Sequence, residues 1–178
     1  MRQTAIAWAG SEVASRLVFT DVAPKGQHIA RARICDLVLD TPECNAHTTA
    51  ADVLWSSTPL LTLPRYEYKM CSRMAASILN GALPKSQAGE AIASELIVAN
   101  ELEYEASATR LAGTLTYEPT GAGHFKGSGR LAEIRHILWI NRWTCGLFDT
   151  RRWVKDVEDA YDEAWRRWVD GRSGDIWL

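Results

Sequence analysis

The segment Cys44-Asn-Ala-His-Thr-Thr-Ala-Ala-Asp-Val-Leu-Trp55 decides the fold expected for the region around it. An apolar strand candidate, Asp36-Leu-Val-Leu-Asp40, precedes the segment. The second half of the segment itself, from Ala50 to Trp55, is compatible with a helix. His47, Thr48 and Thr49 therefore lie where a strand has ended and a helix begins. Free backbone N–H groups and the positive end of the helix dipole converge at such a junction. With two hydroxyls added, this junction is a candidate anion-binding site.

Two further groups of polar residues fit the same interpretation. Asp52 lies about one helical turn beyond the threonines and can accept hydrogen bonds from a sugar hydroxyl. Lys25, His28 and Arg31 are spaced by three, so they share one face of a predicted helix. That helix follows another strand candidate, and successive strand ends in a parallel sheet open on one crevice. Donors for a phosphate beside an acceptor for a ribose indicate a nucleotide-binding site.

Each of these features also has a purely structural interpretation. Threonine at the start of a helix is usually a cap, which would account for Thr48 and Thr49 without any ligand. A basic face on a short helix is usually a solvated face. His47 alone is more often a hydrogen-bonded structural histidine. The residues by themselves leave phosphate binding and structural capping both open.

Alternating strand and helix patterns predict an α/β protein whose parallel sheet has helices on both faces. A glycine-rich stretch, 113–129, is interpreted as an inserted loop, which divides the chain into regions 1–112, 113–129 and 130–178. The strands are predicted at 17–20, 36–39, 60–63 and 96–98, and the helices at 3–15, 25–34, 48–56, 69–80, 101–111, 130–143 and from a cap at Asp149 or Thr150 to 169. The last helix carries tryptophans in helical phase, which predicts a core-facing stripe.

Composition limits the remaining possibilities. A length of 178 residues suggests one domain, and a net charge of −2 argues against a general nucleic-acid surface. No apolar run approaches the length of a membrane span or a signal peptide, so we expect no membrane partner. The four cysteines form no Cys-x-x-Cys pair, which favours reduced thiols and no metal site.

Several segments, in order and spacing, resemble the C-terminal catalytic half of the protein O-linked N-acetylglucosamine (O-GlcNAc) transferases. They are Val22-Ala-Pro-Lys25 with His28 and Arg31, Asp40 through Trp55, Thr58-Pro-Leu-Leu-Thr-Leu-Pro64 and Ser72-Arg-Met-Ala-Ala-Ser77. The resemblance implies the Rossmann-like C-terminal lobe of a two-lobed GT-B glycosyltransferase. That family moves N-acetylglucosamine from UDP-GlcNAc to serine or threonine of nuclear and cytoplasmic proteins, inverts the anomeric centre and uses no metal.

Carried over residue by residue, the resemblance implies how UDP is bound. Ala23 and Arg31 would meet the uracil, and His28 would stack on it. Lys25 and Asp52 would hold the ribose. Thr48 and Thr49 would bind the diphosphate, and His47 would lie beside the phosphate and the sugar. The complete set expected to contact UDP is Ala23, Pro24, Lys25, His28, Ile29, Ala30, Arg31, His47, Thr48, Thr49 and Asp52.

The chain also departs from the family pattern. The other catalytic lobe, the tetratricopeptide repeats and an upstream phosphate-binding lysine and glutamine would precede its first residue, so it is expected to be a partial, N-terminally truncated lobe. No catalytic residue is assigned. The segment 64–73 is longer than its family counterpart, and Arg65 stands in place of a glycine. Three alternatives stay open: a GDP-fucose-using transferase of the same fold, a module that binds a nucleotide sugar without transferring it, and an interaction fragment.

Overall fold

The computed structural model describes residues 1–176, so the last two residues of the predicted region 130–178 lie outside it. No helix in this part of the chain is long and apolar enough to cross a membrane. The helices are α1 (Arg2–Ser15), α2 (Lys25–Ala32), α3 (Thr48–Trp55), α4 (Met74–Ala82), α5 (Gln87–Leu96), α6 (Glu101–Gly113), α7 (Arg130–Asn141) and α8 (Thr150–Val169), with a 3-10 turn at Met70–Ser72. The strands are β1 (Val38–Leu39), β2 (Leu60–Leu61), β3 (Thr116–Gly121) and β4 (His124–Ser128).

A small parallel sheet lies at the centre of the fold. β1 pairs with β2 in parallel, with Val38 opposite Leu60. A third parallel segment joins through a single bridge between Thr62 and Ile97, which lies inside the strand predicted at 96–98. The α/β class expected from the sequence is therefore confirmed, because helices alternate with parallel strands in this region.

The main core forms where α3, α4, α5 and α7 meet the sheet. Its fully buried side chains include Leu54, Leu60, Leu79, Ile92 and Ile134. Burying a leucine or isoleucine stabilises a fold by about 1.5–3 kcal/mol relative to exposing it. These apolar side chains therefore fix how the helices sit around the strands, and with them the positions of the loops that leave the sheet.

The strand predicted at 17–20 is not present. Residues 17–20 have no regular secondary structure, and Val18 and Phe19 are 82% and 57% exposed. Strand-forming side chains contribute little unless they pack against a neighbouring strand or a covered face. These residues pair with no strand among those described, so the local preference alone does not produce one.

Two elements were missed or misassigned from the sequence. Helix α5 was not predicted, although Ser86 caps it by accepting a hydrogen bond from the backbone N–H of Gly89. The stretch predicted as a glycine-rich loop forms instead an antiparallel hairpin of β3 and β4, with Gly121 and Gly123 at positive φ in its turn. Glycine adopts such dihedrals at no steric cost, so the turn can close between the strands.

The C-terminal helix begins as expected but does not face a core. Asp149 caps α8 by accepting a hydrogen bond from the backbone N–H of Arg152. Its aromatic stripe is exposed, with Trp153 at 62% and Trp168 at 72% of full accessibility. The predicted core stripe is therefore wrong for the described chain, since no α8 side chain is buried there.

Substitution of Gly89 by alanine is expected to destabilise the chain. A Cβ atom at this position would lie 2.0 Å from the carbonyl oxygen of Pro84, so the start of α5 would have to move. Overpacking of this kind costs about 1–3 kcal/mol. Gly113, at the end of α6, has nothing within 4 Å of the same added atom and provides a matched control. Thermal unfolding should show a lower midpoint for Gly89→Ala and no loss for Gly113→Ala; equal midpoints would contradict the packing of α5.

Candidate functional site

Helices α2 and α3 lie side by side and run in the same direction. In the middle of both helices, His28 Nε2 of α2 lies 3.9 Å from Asp52 Oδ2 of α3. Further along both helices, the hydroxyl of Ser56 donates to the carbonyl of Ile29, and Thr58 Oγ1 donates to Ala32 O at 2.8 Å. Because partners advance together along both helices, the two N-termini lie at the same end, beyond the carboxyl end of β1.

The N-terminus of α3 is open to a ligand. His47 is the N-cap residue, and no side chain caps the first turn. Thr48 and Thr49 are exposed, and neither hydroxyl makes a hydrogen bond to another protein atom in the part of the chain that the structure describes. The structural interpretation of these threonines as caps is therefore not supported, and their hydroxyls and the first-turn amides can serve as donors to an anion.

His47 adds a second indication of a ligand at this point. Its side chain is half-buried, and within the described residues its Nε2 atom is buried without a hydrogen-bond partner. Buried polar atoms are nearly always paired, so an unpaired one calls for an unseen partner. A water molecule or a ligand bound at the start of α3 would supply it.

Hydrogen bonds to Asp40 hold the loop that leads to His47 in place. This residue is 6% exposed, and its two carboxylate oxygens accept hydrogen bonds from Ala46 N and from Thr62 Oγ1, both at 2.7 Å. Its carbonyl oxygen accepts the hydroxyl of Tyr104 at 2.7 Å. Burial, and then the charge of Asp40, raise the pKa of Tyr104 to about 12, so this hydroxyl stays protonated and continues to donate. Asp40 thus ties the loop to Thr62, which directly follows β2, and to α6.

The residues predicted on α2 extend along the helix, from its N-terminus at Pro24 and Lys25 to Arg31 in its last turn. Pro24 is the N-cap of the helix, with φ −53° and ψ 149°, and Lys25 is its exposed first residue. Arg31 donates through Nη1 to the carbonyl of Asp21 at 2.6 Å and so holds the preceding loop. Of the other predicted contacts, Ala23, His28 and Ile29 are half-buried, and Ala30 is exposed.

The segment 64–73, whose role the sequence left open, is attached to the same loop. Arg65 Nη1 lies 2.6 Å from Glu43 Oε1 and also bonds Glu101, and the hydroxyl of Tyr66 donates to Glu43 at 3.0 Å. The hydrogen bond from Tyr66 and then that from Arg65 lower the pKa of Glu43. Sequence reasoning missed these contacts because the partners are far apart in the chain.

A separate cavity of about 440 Å³ lies between the hairpin and α7. Its walls include Arg33, Ser57, Tyr117 and Trp139. Arg33 and Ser57 follow the C-terminal ends of α2 and α3, so the cavity lies at the opposite end of the helix pair from Lys25 and Thr48. No group of three or more potential metal ligands occurs among residues 1–176.

Adjoining helix N-termini beyond the carboxyl end of a parallel sheet are the arrangement with which α/β proteins bind nucleotides and other phosphorylated ligands. The sequence profile of "Glycosyl transferase family 41" matches residues 2–157, and the chain belongs to this family. The resemblance noted from the sequence is thereby confirmed.

Named relatives agree with this assignment. The chain is 36% identical over 158 residues to a probable UDP-N-acetylglucosamine–peptide N-acetylglucosaminyltransferase of Arabidopsis thaliana, covering 89% of this chain and 14% of the relative. It is 35% identical to the Caenorhabditis elegans UDP-N-acetylglucosamine–peptide N-acetylglucosaminyltransferase, covering 88% of this chain and 12% of the relative. A solved mutant of the Thermobaculum terrenum O-GlcNAc transferase superposes with a TM-score of 0.68 at 25% identity, covering 92% of this chain and 27% of that one. The chain thus spans a small part of the length of the relatives it matches.

Proposed function

We propose that this chain forms the UDP-binding part of a glycosyltransferase that transfers N-acetylglucosamine from UDP-GlcNAc to serine or threonine of proteins. Membership of family 41 supports the transferase class. The uncapped N-terminus of α3, beside the N-terminus of α2, is the observation that carries the nucleotide assignment.

The diphosphate lies at the start of α3 in this proposal. The first-turn amides and the hydroxyls of Thr48 and Thr49 donate to its oxygens, and His47 Nε2 gains the partner that it lacks. The departing UDP carries the negative charge that develops when the sugar is transferred. Preorganised donors stabilise such charge without reorganisation. They can do so without a metal, which is why we propose metal-independent transfer; inversion of the anomeric centre is proposed from the family resemblance alone.

The nucleoside lies along α2. Lys25 and Asp52 hold the ribose from the two helices, and His28, which is 3.9 Å from Asp52, stacks on the uracil. Arg31 keeps the loop before Pro24 in place through its bond to Asp21, and that loop presents the Ala23 backbone to the base.

Acceptor binding and the catalytic step need parts other than the UDP-binding site. We propose that the acceptor is a separate protein and that the other catalytic lobe and the tetratricopeptide repeats are supplied by other sequence, since the chain covers only 14% of the Arabidopsis relative. No catalytic residue is assigned within the chain. In the complete enzyme we place the activity in the cytoplasm and nucleus. The isolated chain is expected not to glycosylate a serine-bearing peptide, and addition of the upstream lobe is expected to restore transfer.

Calorimetric titration of the chain with UDP and with GDP, each with and without EDTA, tests the proposal. UDP is expected to bind in preference to GDP, and EDTA is expected to leave the affinity unchanged, because helix amides, hydroxyls and Lys25 supply the positive field. Preference for GDP would support the GDP-fucose alternative. Loss of binding in EDTA would contradict the metal-independent mechanism.

A further inference from the structure

Two cysteines, Cys44 and Cys71, lie on adjoining segments beside the candidate nucleotide site. Cys44 lies in the loop that leads to His47, and Cys71 lies in the 3-10 turn. The backbone N–H of Asn45 donates to Cys71 O at 2.7 Å, and the thiol of Cys71 donates to Glu43 O at 3.8 Å. The residues on both sides of Cys44 are thus bonded to Cys71, which brings the two side chains together.

The two thiols are neighbours, because Cys71 is hydrogen-bonded to the residues on both sides of Cys44. A hydrogen bond with the thiol of Cys71, followed by burial, raises the pKa of the Cys44 thiol. Both sulfurs are reduced, Cys44 is exposed and Cys71 is half-buried, so a small reagent can reach the pair. The other two cysteines differ: Cys35 is exposed beyond the C-terminal end of α2, and Cys145 is buried.

Neighbouring contacts hold the two segments in register. The hydroxyl of Ser72 donates to Pro42 O at 2.8 Å, and the backbone N–H of Tyr66 donates to Ser72 Oγ at 3.2 Å. Ser72 is fully buried. These bonds hold the segment of Cys71 against the loop of Cys44, so a disulfide would join two segments that already lie together.

We propose that Cys44 and Cys71 form a dithiol modification site, which a low-molecular-weight disulfide such as glutathione disulfide converts into an intramolecular disulfide. The Cys44 thiolate attacks one sulfur of glutathione disulfide, and one glutathione thiolate leaves. The Cys71 thiolate then attacks the Cys44 sulfur of the mixed disulfide, and the second glutathione leaves. The two protein thiols are oxidised by two electrons, and the two glutathione thiolates take up their protons.

The new bond would join the loop before His47 covalently to the segment 64–73. A cross-link between residues distant in sequence restricts the unfolded chain, so the oxidised protein should melt at a higher temperature than the reduced one. Only the thiolate attacks, and the pKa of the Cys44 thiol is raised. While the pH is below that pKa, the rate should increase roughly tenfold for each unit by which the pH rises. This inference does not depend on the proposed function.

To test this, the chain is treated with glutathione disulfide and the remaining free thiols are blocked. Cross-linked peptides are then identified by mass spectrometry without reduction. A peptide pair joined through Cys44 and Cys71 is expected, with Cys35 carrying glutathione alone. Cys71→Ser is expected to retain glutathione on Cys44, because the resolving thiol is gone. Cys35→Ser is the matched control and should form the cross-link as the parent does.

Phenylarsine oxide, which bridges paired thiols, provides a second measurement on the reduced protein. One molecule should bind to the parent and to Cys35→Ser, and binding should be lost in Cys44→Ser and in Cys71→Ser. Separate glutathione adducts on Cys44 and Cys71 without a cross-link, or two unreacted thiols, would overturn the proposal. A cross-link that involves Cys35 or Cys145 would overturn it as well.

Discussion

Simultaneous replacement of Thr48 and Thr49 by alanine is expected to weaken UDP binding and to leave uridine binding unchanged. Each hydroxyl bond lost to the diphosphate should cost about 0.5–1.5 kcal/mol, and up to about 3 kcal/mol where the phosphate charge is felt. Uridine has no phosphate to accept these hydrogen bonds, so its affinity should not change. Alanine favours helix formation over threonine, so α3 should remain folded. Calorimetry with UDP and with uridine measures both effects.

Two further variants make this result specific. Thr109→Ala, on the exposed face of α6, is the matched control and should leave both ligands unaffected. His28→Ala should weaken UDP and uridine equally, because both ligands lose stacking on the base. If the threonine pair proves harmless to UDP binding, the diphosphate does not lie at the start of α3.

Replacement of Asp40 by alanine is expected to cause the largest loss of stability at the site. The change leaves the backbone N–H of Ala46 and the buried hydroxyl of Thr62 without their shared acceptor. An unpaired buried group costs about 1–3 kcal/mol, so the two together should cost on the order of 3 kcal/mol. Asp40→Asn should cost less, since its amide can accept from Ala46 and donate to the Thr62 hydroxyl, which can also accept.

Urea unfolding measures these changes. Asp162→Ala, at an exposed position on α8, is the control and should shift the free energy of unfolding by less than about 0.5 kcal/mol. The folded fraction of the Asp40→Ala variant should also bind UDP more weakly than the parent, because the loop before His47 is released. An unfolding midpoint equal to that of the parent would show that Asp40 does not hold this loop.

Helices and caps that are determined by a few neighbouring residues were predicted well from the sequence. The helix predicted at 48–56 is observed as Thr48–Trp55, and the helix predicted at 25–34 as Lys25–Ala32. The cap at Asp149 is also present. These boundaries depend on caps, glycines and apolar spacing within one segment, and such signals act over a few residues.

Features that depend on distant partners were not predictable from the sequence. The strand expected at 17–20 fails because no neighbouring strand pairs with it, and the aromatic stripe of α8 remains exposed because no described element covers it. The contacts of Asp40 with Thr62 and of His28 with Asp52 join residues far apart in the chain. Periodicity carries no information about such pairs, so residue types and resemblance could propose the site residues, while their supporting contacts needed the structure.

We expect UDP to bind at the N-terminal ends of α2 and α3. Backbone amide chemical shifts of the isotopically labelled chain, recorded during a UDP titration, would locate the bound nucleotide. The largest shifts are expected at 23–31 and 47–52, with Thr48 and Thr49 the most affected because their amides meet the diphosphate. Shifts centred instead on the cavity around Arg33, Tyr117 and Trp139, or no shifts at saturating UDP, would contradict the assignment.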